Sequence, residues 1–117
     1  MNGYVYSYYP NSNTVSSEGN YEHGVPSGYW KTYYPDGKLY REGNYEHGNL
    51  SGYWKFYYAN GLRMEEGNYQ NNIKSGNWIY YYPDGRVSSQ GNYANGAKQG
   101  EWSYYNTDGS LNYKTSY

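Results

Sequence analysis

The sequence predicts an all-β fold, an elongated single-layer antiparallel β-meander of tandem 24-residue hairpin repeats. Three observations carry this expectation. The tripeptide Gly-Asn-Tyr begins at Gly19, Gly43, Gly67 and Gly91, an unbroken interval of 24 residues. Trp30, Trp54, Trp78 and Trp102 keep that interval, as do Gly28, Gly52, Gly76 and Gly100 two positions before them. A fixed period of about 20–50 residues is the signature of a repeat architecture. Finally, Asp36-Gly37, Asn60-Gly61 and Asp84-Gly85 separate aromatic-rich runs, and such dipeptides between strand-forming segments signal hairpins.

In chain order, residues 1–18 read as a partial N-terminal cap copy. Gly3 to Pro10 aligns with Gly28 to Pro35, with Val5 standing where the full copies have tryptophan. An atypical end copy is what a stacked repeat requires. Full copies follow at 19–42, 43–66, 67–90 and 91–114, and residues 1–117 read as a single domain. Within a copy, Gly28 to Tyr34 is the first strand. Pro35-Asp36-Gly37 is the turn, where proline presets φ, aspartate caps locally and glycine takes positive φ. Lys38 to Tyr45 is the second strand, and Glu46 to Ser51 connects it to the next copy. The whole chain then holds roughly eight to ten strands, each lone hairpin being marginal until its neighbours stack on it.

Side chains alternate across a strand. Trp30, Thr32 and Tyr34 fall on one face, and Tyr29, Lys31 and Tyr33 on the other. The sister copies repeat this with Trp54/Phe56/Tyr58 against Tyr53/Lys55/Tyr57, Trp78/Tyr80/Tyr82 against Asn77/Ile79/Tyr81, and Trp102/Tyr104 against Glu101/Ser103/Tyr105. Two aromatic columns result, Trp30/54/78/102 and Tyr33/57/81/105. Gly43, Gly67 and Gly91 lie inside the second strands, where glycine is tolerated when something packs close on the backbone. Aromatic rings from neighbouring strands are expected to lie over them.

Composition agrees. The 117 residues include 22 tyrosines and four tryptophans but one phenylalanine, so the core is built from rings with polar tips. The net charge of −1 with scattered Lys and Arg lacks the basic groove of a nucleic-acid binder. With no cysteine, disulfides, thiolate zinc sites and cysteine nucleophiles are excluded. No apolar run approaches the ~20 residues of a membrane span, and Met1 to Tyr6 lacks the charged and apolar regions of a signal peptide. The compartment stays open, with the cytoplasm favoured.

Gly28, Trp30, Tyr33, Tyr34, Asp36, Gly37, Leu39, Glu42, Gly43, Tyr45 and Gly48, with their later counterparts, form a pattern that resembles the MORN repeat variant over nearly the whole chain. The resemblance implies a twisted, elongated sheet of hairpins. It also implies a scaffold or binding role, since relatives include bacterial antitoxins and MORN proteins are linked to membrane lipids and dimerisation. Asn72, Arg63 and Asn106 depart from the pattern, standing where sister copies have Gly, an aliphatic and Tyr.

Catalytic readings weigh little. His23 and His47 are repeat-equivalent, each after a glutamate, but Asn71 and Asn95 replace them later. Solvated loop residues explain them better than a metal site, which needs a third convergent ligand. Glu42, Glu65, Glu66, Asp36, Asp84 and Asp108 raise the paired-carboxylate chemistry of glycosidases, yet the aspartates sit where turns want them. No enzyme, cofactor or metal is expected. An open sheet cannot bury both faces, so one aromatic face should stay partly exposed, and large exposed aromatic patches mark binding surfaces. Tyr29, Tyr33, Tyr53, Tyr57, Tyr81 and Tyr105 are the candidate partner-binding residues. A protein partner ranks first, with an antitoxin- or immunity-like role as one form. Carbohydrate or cell-wall stacking and lipid-surface association are alternatives, and homo-oligomers through sheet edges a further expectation.

Overall fold

Rings and threonine favour extended backbone, and Asp-Gly or Asn-Gly corners fold that backbone back on itself. The computed structural model accordingly contains ten strands: β1 (Gly3–Tyr8), β2 (Val15–Glu22), β3 (Val25–Tyr33), β4 (Leu39–Glu46), β5 (Asn49–Tyr57), β6 (Arg63–Gln70), β7 (Ile73–Tyr81), β8 (Val87–Ala94), β9 (Ala97–Tyr105) and β10 (Leu111–Ser116). It describes residues 2–117, so Met1, the first residue of the expected partial copy, lies outside the described residues. All ten strands form one antiparallel sheet in sequence order, spanning 48 × 30 × 16 Å. The expected open, single-layer meander is what the chain builds. Among the described residues, no helix is long and apolar enough to cross a membrane.

Two kinds of turn alternate. At the Pro-Asp-Gly corner, Gly37 N–H donates to the Tyr34 carbonyl and Tyr34 N–H to the Lys38 carbonyl. The Asp36 carboxylate accepts from Lys38 N–H at 2.9 Å, and Asn60, Asp84 and Asp108 repeat that contact. These side chains are turn-makers, as the residue types suggested.

The other turn corrects an expectation. Glu46 to Ser51 is not a loose connector. β4 runs through Glu46, β5 starts at Asn49, and only His47 and Gly48 lie between. Both have positive φ, 52° and 82°, the pattern of a two-residue primed hairpin turn. His23, Asn71 and Asn95 adopt the same backbone in their copies. Asparagine is the usual non-glycine occupant of this conformation and histidine is also enriched there, which explains why the two types interchange here.

The glycine-over-ring expectation holds. Three residues of β5 (Gly52, Tyr53, Trp54) oppose the single Gly43 of β4, because pairing passes from Glu42↔Lys55 to Asn44↔Ser51. At this bulge the Trp54 indole lies flat on Gly43, and a Cβ there would come closer than 3.0 Å to three ring atoms. Its Nε1–H donates to the Asn44 carbonyl at 2.9 Å. The lock recurs as Trp30 on Gly19, Trp78 on Gly67 and Trp102 on Gly91, each with the same 2.9 Å bond. Tyrosines stand edge-on between the indoles. Tyr21, Trp30, Tyr45, Trp54, Tyr69, Trp78, Tyr93, Trp102 and Tyr117 form a continuous herringbone. A one-layer sheet thereby buries Trp54, Trp78 and Trp102 almost completely, and such edge-to-face pairs add roughly 0.5–1.5 kcal/mol each beyond burial.

Candidate functional site

The opposite face carries the predicted site residues. Directly across from Glu42 on β4 is Lys31 of β3, and on the other side Lys55 of β5. Strand alternation puts Tyr29 and Tyr57 on the same face. The Glu42 carboxylate accepts Tyr29 Oη–H at 2.7 Å and Tyr57 Oη–H at 2.6 Å, one on each oxygen. One repeat later Glu66 receives Tyr53 at 2.7 Å and also Tyr81, while Arg63 adds a 2.9 Å ion pair. One repeat earlier Glu18 receives Tyr4 and Tyr33. The face is thus laced by three tyrosine–carboxylate–tyrosine bridges, each spanning three strands.

Of the six tyrosines singled out by sequence, the structure joins Tyr29 to Tyr57 and Tyr53 to Tyr81 through shared carboxylates. Tyr33 is joined to Tyr4, and Tyr105 accepts a hydrogen bond from the Gln90 amide at 3.0 Å. Tyr29 and Tyr53 are 50% and 46% exposed, whereas Tyr33, Tyr57, Tyr81 and Tyr105 are half-buried. Sequence reasoning missed Tyr4, Tyr6 and Tyr8, all more than half exposed, and it missed the carboxylates as acceptors. The recurrence of Glu18, Glu42 and Glu66 at the repeat interval, in phase with the tyrosines, was the available signal.

A further column ties the copies together. Tyr9, Tyr34, Tyr58 and Tyr82 each donate to the carbonyl of Tyr33, Tyr57, Tyr81 and Tyr105, in the copy that follows. The departures from the repeat pattern find local replacements. Asn72 takes glycine's left-handed place with φ 70° and its side chain bonds Leu50 N–H and Asn49. Arg63 pairs with Glu66, and Asn106 bonds Ser110.

The electrostatics follow from this wiring. The Tyr33 and Tyr4 hydroxyls hold the Glu18 carboxyl below its ordinary range. Burial pushes Glu42 and Glu66 up, but the donated hydroxyls outweigh it, with Arg63 helping at Glu66, and both end lower than usual. Burial and then the carboxylate partner push Tyr29 and Tyr53 up to about 12. The same causes raise Tyr33, Tyr57 and Tyr81. Near neutral pH these carboxylates stay ionised and these phenols protonated. Each group is stabilised in the form it already has, which suits a fixed surface rather than proton transfer.

The other carboxylates are dispersed. Asp36, Asp84 and Asp108 hold turns, and Glu65 lies 3.8 Å from Lys74. His23 and His47 line one groove with Glu22, Glu46, Ser27 and Tyr45. Among the described residues, no group of three or more His, Cys, Asp or Glu could hold a metal ion.

A family model for the MORN repeat variant matches four tandem segments, residues 26–47, 50–71, 74–95 and 98–117. The chain belongs to the MORN repeat variant family. Each MORN match takes in a tryptophan strand, the Asp/Asn-Gly corner and the strand that follows, which carries a mid-strand glycine in the first three matches and Thr115 in the fourth. A comparison with curated proteins finds no match. MORN repeats are interaction modules for proteins or membranes, and the MORN family is a non-catalytic one.

Proposed function

We propose that this MORN-variant chain is a non-catalytic module that binds a protein partner through its tyrosine–carboxylate face, with residues 1–117 acting as one binding unit. The observation that supports it is the pairing of exposed rings with fixed ones. Tyr29 and Tyr53 are half open to solvent, yet their hydroxyls are held at 2.7 Å by Glu42 and Glu66. Tyrosine immobilises few torsions on binding, and a surface already ordered loses less entropy when a partner docks. The carboxylates that anchor the rings are kept ionised, so acid–base catalysis is a poor use for them. An antitoxin- or immunity-like role for this chain, capturing a toxic protein partner on that face, would be one instance of this activity.

The test is a pull-down from native lysate with mass-spectrometric identification, followed by titration of the purified partner. Glycan and lipid arrays run in parallel. A stoichiometric protein partner whose affinity falls at least tenfold for Tyr29→Ser/Tyr53→Ser, with the melting curve little changed, is the expected result. A glycan or lipid signal without a protein partner would overturn the proposal and recast the rings as a stacking surface for that ligand.

A further inference from the structure

Each tryptophan–glycine lock has two halves on different strands. The ring comes from the later strand (Trp30, Trp54, Trp78, Trp102) and the gap from the earlier one (Gly19, Gly43, Gly67, Gly91). The outer strands β1 and β10 occupy the two edges of the sheet, and each carries one position of an unmatched lock. Val5 pairs with Gly19 as Trp30 pairs with Gly43, which makes Val5 the ring position of β1. Thr115 pairs with Trp102 as Gly91 pairs with Trp78, which makes Thr115 the gap position of β10. In the sequence period, Thr115 follows Gly91 by the same 24 residues that separate the glycines.

Both halves are therefore altered at the edges. The ring is absent from β1, and the gap on β10 is filled. A bare Cβ on any locked glycine would already intrude closer than 3.0 Å on the indole, and threonine brings two more heavy atoms. The point matters because strands alternate in direction. β1 runs the way a strand laid against β10 would have to run, so β10 of one copy and β1 of a second are antiparallel and geometrically matched. Both edges are well exposed over most of their residues. A head-to-tail contact of this kind does not close on itself and grows into filaments.

We propose that Val5 and Thr115 are end-stops, which deny a second copy of this chain the lock that joins each internal glycine strand to the tryptophan strand after it. The inference rests on the lock alone and does not depend on the tyrosine face. It predicts a complementation. Val5→Trp supplies the ring and Thr115→Gly the gap, on opposite edges of different chains. Sedimentation of each single variant alone should give the same mass as wild type across a hundredfold concentration range. An equimolar mixture of the two should give a discrete species of twice that mass. Thr115→Ala mixed with Val5→Trp should stay at the single-chain mass, because the Cβ alone blocks the ring. Should Val5→Trp melt early, Val5→Phe places a smaller ring at the same position and is mixed in its stead. Open-ended growth of the wild-type chain, self-association of either single variant, or a Val5→Trp and Thr115→Gly mixture that stays at the single-chain mass would each overturn the proposal.

Discussion

From β1 to β7 the tyrosine face is crossed by bridges on Glu18, Glu42 and Glu66, while from β7 to β10 the corresponding places hold Gln90, Asn77 and Glu101. Only Tyr105 keeps its arm, on the Gln90 amide. The tryptophan face shows the reverse. Lys74 lies 4.6 Å from the Trp78 ring centre and donates to Tyr80, and Lys98 lies 4.9 Å from Trp102 and donates to Tyr104. The first two copies have Pro26 and Leu50 at that position. Trp54 instead has the Arg41 guanidinium 5.5 Å from its ring centre, and Trp30 is the most exposed of the four at 7%. The two halves share every lock and both turn types but differ in decoration. What repeats without change is what the fold requires, and what changes is free to serve recognition.

The comparison is broken most severely at the lock, which both halves share. Gly43→Ala and Gly91→Ala should each destabilise by about 3 kcal/mol or more, since the added methyl cannot fit under the indole. Urea unfolding with unequal losses, or a loss below about 1 kcal/mol at either site, would show that the halves do not rest on a common scaffold. Next comes the carboxylate. Glu66→Ala strands two tyrosine hydroxyls and Arg63 and should cost roughly 2 kcal/mol, against about 1 kcal/mol or less for Gln90→Ala.

Acid should then act on one half. Glu18, Glu42 and Glu66 have folded pKa values below their unfolded ones. Their contribution is therefore present above about pH 4.3 and disappears as pH falls through the lowered values. Replacing all three with glutamine should flatten stability between about pH 5 and 2 relative to wild type. An unchanged acid limb would mean the bridges contribute little. A smaller effect is expected at the other half's caps. Lys74→Met keeps the packing but removes the cation, and should cost about 1 kcal/mol. A melting temperature higher than wild type would mean that the ammonium's desolvation outweighs its contact with the rings.

Much of this was legible before any coordinates. The interval of the Trp30 and Gly43 columns announced the repeat, Asp36-Gly37 announced the corner, and alternation assigned Trp30 and Tyr33 to opposite faces. Even the ring over glycine followed from finding both at one period. The His47-Gly48 turn was missed, although Asn95-Gly96 in the sister copy is a strong hairpin dipeptide. Histidine in a left-handed conformation disguised the equivalence. The candidate tyrosines were legible as a column but not as pairs.

The sequence by itself determined the elements, their order and the two faces, because these depend on local propensity and on period, which a linear string displays. Only the tertiary structure decided which tyrosine meets which glutamate. Partners such as Tyr29 and Glu42, or Glu42 and Tyr57, lie on different strands 13 and 15 residues apart. Their meeting depends on cross-strand register, and a bulge at every tryptophan resets that register by placing three residues opposite one glycine. Alternation along a strand says which face a side chain takes. The bulge and the twist of the sheet decide whom it reaches there.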